Sequence, residues 1–300
     1  MKRLLSIIFA VIMLVSLAAC SNNKESDNNS SGDLDKSQQS STEKQEAVPQ
    51  ATIEETVLYD TNDIKITALS LTYDDYYVNL NLLVENNTGT NLTFQASETT
   101  VNDFVQSPTM SFDVAAGQQS EGELSFMKKW LSNDYIDVIA DIETKFRYFS
   151  SDFSYSVNEE TELIRIETSA ASTFDYSYDE SGTVIHDGDG VKIVCQKIFT
   201  TSNTTDGVTR HYPVIYIKNN RDENCYVEIE EAYVNGVEIE SILGEFVYPD
   251  KRMLVWLEFY ESDLEENGIT EIESLELSFE ITRNALDNNG VKTELVEVEL

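Results

Sequence analysis

"ENNTGTNLTFQASETTVNDFVQ" at residues 85–106 returns in altered form as "KNNRDENCYVEIEEAYVNGVEI" at residues 218–239. Both stretches begin with a charged residue and Asn-Asn, cross a polar turn, and reach Val-Asn followed by Asp or Gly. A shift of 133 residues carries Asn86 onto Asn219. The sequence therefore predicts that one structural unit occurs twice in the chain.

The repeat extends well beyond these two stretches. The same shift of 133 pairs Asn102 with Asn235, Phe126 with Phe259, Leu131 with Leu264, Ile136 with Ile269 and Phe146 with Phe279. Upstream, "VLYDTNDIKI" (57–66) matches "VIHDGDGVKI" (184–193), with an insertion in the second copy at "FTTSNTTDGVTRH". Two long copies favour tandem independent domains over a solenoid, and we place them at 51–170 and 171–300.

Within each copy, apolar residues alternate with polar ones. "VNLNLLV" (78–84) and "LELSFEI" (275–281) both follow this period of two, which is typical of half-buried antiparallel strands. Six or seven such runs separated by Asn, Gly and Asp turns predict a two-sheet sandwich in each copy. The predicted fold class is all-β, with two tandem immunoglobulin-like antiparallel β-sandwiches. The repeated Asn residues fit tight turns, since Asn tolerates positive φ.

The N-terminus reads as an export signal. Lys2 and Arg3 precede the apolar run "LLSIIFAVIMLVSL" and the small residues of "AAC", the order found in a secretory signal peptide. The ending "LAAC" at 17–20 resembles the lipobox of bacterial lipoproteins. That resemblance implies that residues 1–20 are a lipoprotein signal peptide and that Cys20 carries the lipid. An ordinary secretory peptide with an incidental Cys is the alternative.

Residues 21–50 contain almost no large apolar side chain, so we expect a disordered tether. Its root-mean-square reach would be about 30 Å. Signal, lipid site and tether together predict a protein of the cell membrane, lipid-anchored on the extracytoplasmic face.

The chain is strongly acidic, with 20 Lys and Arg against 55 Asp and Glu. Removal of Lys2 and Arg3 with the signal leaves a net charge of −37. Such a surface repels nucleic acid and anionic lipid, so neither is expected as a partner. It could attract cationic peptides or divalent ions, although a well-solvated surface explains the charge equally.

Beyond Cys20 the chain has Cys195 and Cys225. Export permits a disulfide between them. Their counterparts in the first copy, Ala68 and Leu92, instead suit small or apolar core positions, and the sequence leaves the choice open.

No catalytic motif stands out. The two histidines, His186 and His211, have no histidine counterpart in the other copy, and no hydrolase, zinc-protease, nucleotide or dinucleotide motif occurs. We therefore expect no enzyme activity and no cofactor.

"DTND" (60–63) and "DGDG" (187–190) place oxygen side chains two residues apart in both copies. These weak metal candidates, which lack the frame of a calcium loop and read equally as turns, are Asp60, Asn62, Asp187 and Asp189.

The two copies differ in one informative place. "SEGELSF" (120–126) corresponds to "MLVWLEF" (253–259), so apolar residues replace the outward glutamates in the second copy. The preceding strand changes in the same way. The resulting candidate binding patch on the outer face of the second domain comprises Tyr212, Val214, Tyr216, Leu254 and Trp256. Cover by the first domain or by residues 171–183 is the alternative.

"STFDYSYDES" (172–181) precedes the first strand of the second copy. Its alternating Phe174, Tyr176 and Tyr178 could stack on a sugar or a cation. The alternative interpretation is an inter-domain connector that pairs as an extra edge strand.

Taken with the Asn-Asn and Val-Asn turns, the pattern over 51–300 resembles immunoglobulin-like domains of unknown function in Gram-positive lipoproteins. The resemblance implies an extracytoplasmic binding or structural module without a known reaction. We expect a non-catalytic, lipid-anchored binding or scaffolding protein of the cell envelope, whose partner is an unknown envelope protein or glycan. A purely structural spacer and a carboxylate-based wall or glycan hydrolase are the alternatives.

Overall fold

The computed structural model describes residues 50–300 apart from 155, 203–208, 260, 288 and 300, and apart from the side chains of 200–202, 209–211 and 261. The predicted signal peptide, Cys20 and the tether through residue 49 lie outside the described residues. The protein is all-β, as predicted, and its strands form antiparallel sandwiches. None of the helices in the described part is long and apolar enough to cross a membrane.

The described residues of the first copy form ten strands and one short helix. They are β1 (Thr56–Asp60), β2 (Ile64–Tyr73), β3 (Tyr77–Asn86), β4 (Leu92–Val101), β5 (Phe104–Val105), β6 (Ser111–Val114), β7 (Gln118–Met127), α1 (Lys128–Asn133), β8 (Asp141–Ser150), β9 (Asn158–Glu160) and β10 (Ile164–Glu167).

The second copy repeats this order after a 3-10 turn at Ala171–Thr173. Its elements are β11 (Thr183–Gly188), β12 (Val191–Ser202), β13 (Thr209–Asn219), β14 (Cys225–Val234), β15 (Val237–Glu238), β16 (Gly244–Val247), β17 (Arg252–Trp256), α2 (Glu261–Glu266), β18 (Leu275–Thr282), β19 (Val291–Lys292) and β20 (Val296–Val298).

Three sheets build the two sandwiches. A 4-stranded sheet, β1-β2-β3-β7, packs on one half of a 10-stranded sheet that contains β4, β5, β8 and β10. The other half of that sheet, β17-β13-β12-β11, packs on a 6-stranded sheet built around β14 and β18. The half β11, β12, β13 and β17 is the repeat counterpart of β1, β2, β3 and β7.

The long sheet continues from one sandwich into the other. β5 and β17 pair in parallel with Arg252 opposite Phe104, and the Arg252 N–H donates to the Asp103 carbonyl at 3.1 Å. The described residues belong to one compact unit that includes both sandwiches. The expectation of independent domains is therefore wrong, because main-chain pairing and side-chain packing join the copies.

Two buried asparagines show that the repeat is structural down to single hydrogen bonds. Asn86 Nδ2 donates to the carbonyls of Thr90 and Val114 at 2.8 and 3.0 Å. Asn219 Nδ2 donates to the carbonyls of Glu223 and Val247, which lie 133 residues further on, at 2.8 and 2.9 Å. Each amide thus ties the end of one strand, β3 or β13, to a loop carbonyl and to the last carbonyl of β6 or β16.

The Val-Asn turns are equally alike. Asn102 and Asp103 have φ of 49° and 66°, and Asn235 and Gly236 have φ of 53° and 76°, as expected for two-residue hairpins with a left-handed backbone. The amide of Asn102 donates to Val138, and that of Asn235 donates to Glu271, again at equivalent positions.

The predicted alternative of a disulfide is wrong. Cys195 on β12 and Cys225 on β14 lie in different sheets of the second sandwich, and both are buried free thiols in its core. Burial raises the pKa of Cys195 to about 12 and that of Cys225 to about 11. They pack as small apolar groups, like their buried counterparts Ala68 and Leu92.

Asn219→Ala should lower the free energy of unfolding by about 2–3 kcal/mol, because one buried and one partly buried carbonyl lose their donor. Urea unfolding measures this difference. The matched control is Asn220→Ala, whose side chain is exposed and which we expect to change stability by less than about 0.5 kcal/mol. Equal losses in the two variants would contradict the role given to the buried amide.

Candidate functional site

The outer face of β12, β13 and β17 carries four cross-strand rows. Row by row, its residues are Lys192, Lys218 and Arg252; Val194, Tyr216 and Leu254; Lys197, Val214 and Trp256; and Phe199 with Tyr212. A basic row thus lies at one end, apolar side chains in the middle and aromatic side chains at the other end. The residues between them on each strand, such as Ile215 and Val255, point into the core of the second sandwich.

This face is covered within the molecule. Val214, Tyr216 and Leu254 are 0%, 1% and 8% exposed, and they belong to the buried cluster that also forms the core of the first sandwich. Tyr212 and Trp256 are half-buried. The prediction of an open binding patch is therefore wrong, and the alternative of an internal cover describes these residues.

Helix α1 and the β4–β5 hairpin of the first sandwich supply part of the cover. Trp256 Nε1 donates to the Asn133 carbonyl at the end of α1 at 3.3 Å, and its ring lies 4.9 Å from that of Phe199. Phe104, on β5, contacts the connector edge-on through the ring of Tyr178 at 5.1 Å. Apolar burial of this kind stabilises a protein by about 1.5–3 kcal/mol for each large side chain.

Residues 174–180 run as an extended strap across the junction, and they do not pair as the predicted edge strand. Tyr178 Oη donates to the Asn102 carbonyl at 2.6 Å, and the Arg252 guanidinium lies 3.9 Å from the centre of its ring. Tyr176 Oη donates to the buried Asp141 carboxylate, which also pairs with Arg165 at 2.9 Å. The alternation therefore directs the aromatic rings of the strap against both sandwiches.

Glu180 ends the strap over the basic row. Its carboxylate accepts from Lys192 at 2.9 Å, from Lys218 at 3.2 Å and from Tyr216 Oη at 3.0 Å. The hydrogen bond from Lys192, with those from Lys218 and Tyr216, lowers the pKa of Glu180 to about 2. The carboxylate is thus ionised over the whole physiological range and fastens the strap to the second sandwich.

A second set of charges crosses the junction beside the β5–β17 pair. Lys251 lies 2.9 Å from Asp103 and 2.6 Å from Glu143, and all three side chains are largely buried. Removing one partner of such a pair leaves an uncompensated charge, so the set holds the sandwiches in one register.

A cleft of about 360 Å³ opens where strap, first sandwich and second sandwich meet. Its lining residues are Asn102, Phe104, Asp134, Tyr135, Ile136, Phe174, Asp175, Ser177, Tyr178, Asp179, Gln196, Lys197, Tyr216 and Leu254. Half of these residues are aromatic or aliphatic and half are polar or charged, and clefts at domain junctions are common places for small-ligand sites. The covered face therefore contributes Tyr216 and Leu254 to a recess instead of an open patch.

Tyr135 projects at this cleft from a strained backbone. It ends α1 with φ of 58° in a Schellman motif, where Tyr135 N–H donates to Ser132 and Ile136 N–H donates to Leu131. Gly268 occupies the equivalent position after α2, with φ of 68° and the same two hydrogen bonds. A bulky side chain is rare in this conformation, and residues that tolerate such strain cluster at functional sites.

The charges at the cleft are mostly carboxylates. The Lys197 ammonium lies 4.6 Å from the centre of the Tyr135 ring. Gln106 Nε2 donates to Asp134 Oδ2, and burial raises the pKa of Asp134 to about 7. Asp175 and Asp179 are exposed, and each accepts from a serine N–H two residues further along the strap.

The weak metal candidates lie in two hairpins. In the β1–β2 hairpin, the Ile64 N–H donates to Thr61 Oγ1. In the β11–β12 hairpin, Asp189 adopts a positive φ of 51°. Asn62 and Asp187 lie in the same two hairpins. Across the part of the chain that the structure describes, no three His, Cys, Asp or Glu side chains come together as a metal site.

No protein-family model matches the sequence, and no curated protein matches it. Among solved structures it is similar to the YadV chaperone, with 8% identity, 73% of this chain and 91% of that chain covered, and a TM-score of 0.22. The Salmonella enterica SafA pilin in complex with the SafB chaperone gives 12% identity, 81% and 98% coverage and a TM-score of 0.23. The chain is also similar to the N-terminal periplasmic domain of ScsB from Proteus mirabilis, with 10% identity, 83% of this chain and 99% of that chain covered, and a TM-score of 0.23. Scores this low carry no argument about function.

Sequence reasoning singled out Phe174, Tyr178, Tyr216 and Leu254, which line the cleft, but it missed the charged residues of the cleft and of the strap. Glu180, Lys197 and Asp134 carry no motif, and their partners are distant in sequence. One signal was available for Tyr135: the shift of 133 residues places it opposite Gly268. Because the other copy has Gly at this position, the Tyr135 side chain is not needed to end the helix, which indicates that it has another role.

Glu180→Gln should lower the free energy of unfolding at pH 7 by about 1 kcal/mol, the value of a favourable surface ion pair. A depressed pKa means that the ionised carboxylate stabilises the fold above the unfolded pKa near 4.3, and that this stabilisation disappears as pH falls through about 2. The gap between the parent and Glu180→Gln should therefore close as pH falls from 5 towards 2 in denaturant titrations.

The matched control is Glu121→Gln, which makes the same charge change on the exposed face of β7. It should change stability by less than about 0.5 kcal/mol. A Glu180→Gln gap that stays constant with pH would contradict the ionic fastening of the strap.

Proposed function

We propose that the protein is a lipid-anchored, non-catalytic binding protein on the extracytoplasmic face of the cell membrane. Its ligand site is the cleft between the two sandwiches. The observation that carries this proposal is Tyr135, whose side chain is 52% exposed at the cleft in a backbone conformation for which the other copy uses Gly. Backbone strain retained at a recess is the pattern expected of a binding site.

The membrane anchor is supported by the N-terminal pattern. The basic start, the apolar run and "LAAC" at 17–20 precede a polar stretch long enough to hold a folded body away from the headgroups. The acidic surface disfavours nucleic acid and anionic lipid as ligands. An envelope protein or a glycan remains the expected kind of partner.

A structural spacer is the second candidate, and one observation favours it. The apolar face expected to meet a partner is buried under the first sandwich, so the two sandwiches form a single stiff body. A spacer role, however, explains only the stiff body. It does not explain an exposed Tyr135 in a left-handed backbone conformation. The cleft therefore favours binding.

A carboxylate hydrolase finds less support. Asp134 alone among the cleft carboxylates has a pKa raised to about 7, which suits a general acid. Asp175 and Asp179 each accept from the backbone of their own turn, which is a structural use. A second carboxylate poised as nucleophile or base is what this mechanism would need.

Cys20→Ala should abolish lipid attachment and release the protein from the membrane fraction, because the resemblance to the lipobox gives this residue the lipid. Metabolic labelling with a radioactive fatty acid and fractionation of the cells measure both effects. Cys195→Ala is the matched control, since this buried position has Ala68 as its counterpart and should keep label and membrane association. A Cys20→Ala chain that still carries label would overturn the proposed anchor.

A further inference from the structure

We propose that the cleft binds a cationic group, an ammonium or guanidinium on an aliphatic arm, over the ring of Tyr135 and between the carboxylates of Asp134, Asp175 and Asp179. This proposal rests on the proposed function and names the chemical class of its ligand. The ligand is a basic side chain of a peptide or a free alkylamine, since both present the same charged group.

The hydrogen-bond acceptors left without a described partner at the cleft favour a ligand that donates hydrogen bonds. Four side-chain donors in the lining are committed to the fold: Asn102 Nδ2 donates to Val138, Tyr178 Oη to Asn102, Tyr216 Oη to Glu180 and Gln196 Nε2 to Asp179. Asp134 accepts one described hydrogen bond, from Gln106, through only one of its two oxygens. A ligand that brings N–H donors therefore finds partners, whereas a ligand that brings acceptors finds few.

The charge balance leads to the same class. Among the described residues that line the cleft, Asp134, Asp175 and Asp179 stand beside one cation, Lys197. The whole chain carries a net charge of −35, and its field concentrates cations near such a recess.

Tyr135 supplies the platform. The Lys197 ammonium already lies 4.6 Å from its ring centre, within the range of a cation–π contact. Lys197 is exposed, on a flexible arm, and thus occupies the position that a ligand cation would take. A strained Tyr is retained where Gly268 shows that the helix end needs none.

Binding should depend on pH. Burial raises the pKa of Asp134 to about 7, so this carboxyl is largely protonated at pH 5.5 and ionised at pH 8. A cation binds the ionised form, and its affinity should therefore rise with pH and fall in acid. The titratable groups that line the same recesses as Asp134 are Asp175 and Asp179 on the strap, Lys197 on β12, Tyr135 after α1, Tyr178 on the strap, Tyr216 on β13 and Glu245 on β16.

The experiment uses the full chain in a neutral detergent and nuclear magnetic resonance titration. The probes are Nα-acetyl-lysine methylamide, the same compound with its side-chain amine acetylated, an acidic analogue, and butylamine. We expect the charged lysine probe to bind at pH 8 at least about tenfold more tightly than its neutral analogue, the range of a cation–π contact with a charge-assisted hydrogen bond. If butylamine binds as tightly as the lysine probe, the site is assigned to free amines. If the lysine probe binds more tightly, the site is assigned to peptides.

Three variants, Tyr135→Gly, Lys197→Met and Asp134→Gln, and one control, Glu121→Gln, separate a binding role from a structural one. Tyr135→Gly should weaken the lysine probe by about tenfold, while its unfolding midpoint stays equal or rises because strain is relieved. Lys197→Met should strengthen binding by removing the competing cation. Asp134→Gln should weaken binding of the lysine probe and abolish the pH dependence of that binding. Its control, Glu121→Gln, removes the same charge on the open face of β7 and should leave the affinity unchanged.

The outcomes separate the two proposals. Equal affinity for the charged and neutral probes, or loss of binding in Lys197→Met, overturns the cationic class and leaves the cleft as a site for another ligand. Unchanged affinity in Tyr135→Gly overturns the role of the ring. If none of the basic, neutral and acidic probes shifts a cleft resonance, both the cationic class and the binding function are overturned, and the spacer remains.

Discussion

Burial of one sheet face of the second sandwich beneath the first is the constraint on which the rest of the structure depends. Val214, Tyr216 and Leu254 have left the core of their own sandwich, and only the neighbouring copy and the strap remove them from water. Their counterparts in the first copy are Asn81, Leu83 and Glu121, on a face that stays open. The two copies thus share a backbone plan and differ in what their outer faces require.

The surface that covers this face is also found in only one of the two described sandwiches, the first. Phe104 and Trp130, at the junction, correspond to Val237 and Asp263 in the second sandwich, where the equivalent surface is polar and acidic. The described part of the second sandwich therefore lacks the apolar surface with which the first sandwich covers it. The parallel β5–β17 pair and the Lys251 ion pairs fix the register of that single junction, and the strap closes over it.

Much of the fold follows from the sequence because its signals are local. Period-two alternation gave the strands, the shift of 133 gave the duplication, and the phase of "MLVWLEF" correctly turned Leu254 and Trp256 away from the core of the second sandwich. Alternation says that a side chain leaves its own core, but it does not say what lies over it. The cover comes from contacts such as Lys251 with Asp103, which lie 148 residues apart and follow no pattern. The pattern singled out Phe174, Tyr178, Tyr216 and Leu254 but could not show that they meet at one cleft, because their contacts are also long-range.

The most direct test of the docked junction compares one repeat position in its two copies. Leu254 is covered, whereas Glu121, 133 residues earlier, is exposed on β7. Leu254→Cys and Glu121→Cys are prepared in the full chain, and thiol labelling rates under native conditions are corrected for the parent, whose Cys195 and Cys225 are buried. A docked body predicts that the thiol at 254 reacts at least about tenfold more slowly than the thiol at 121, because labelling must await local opening. Equal rates would contradict the docking of the two sandwiches.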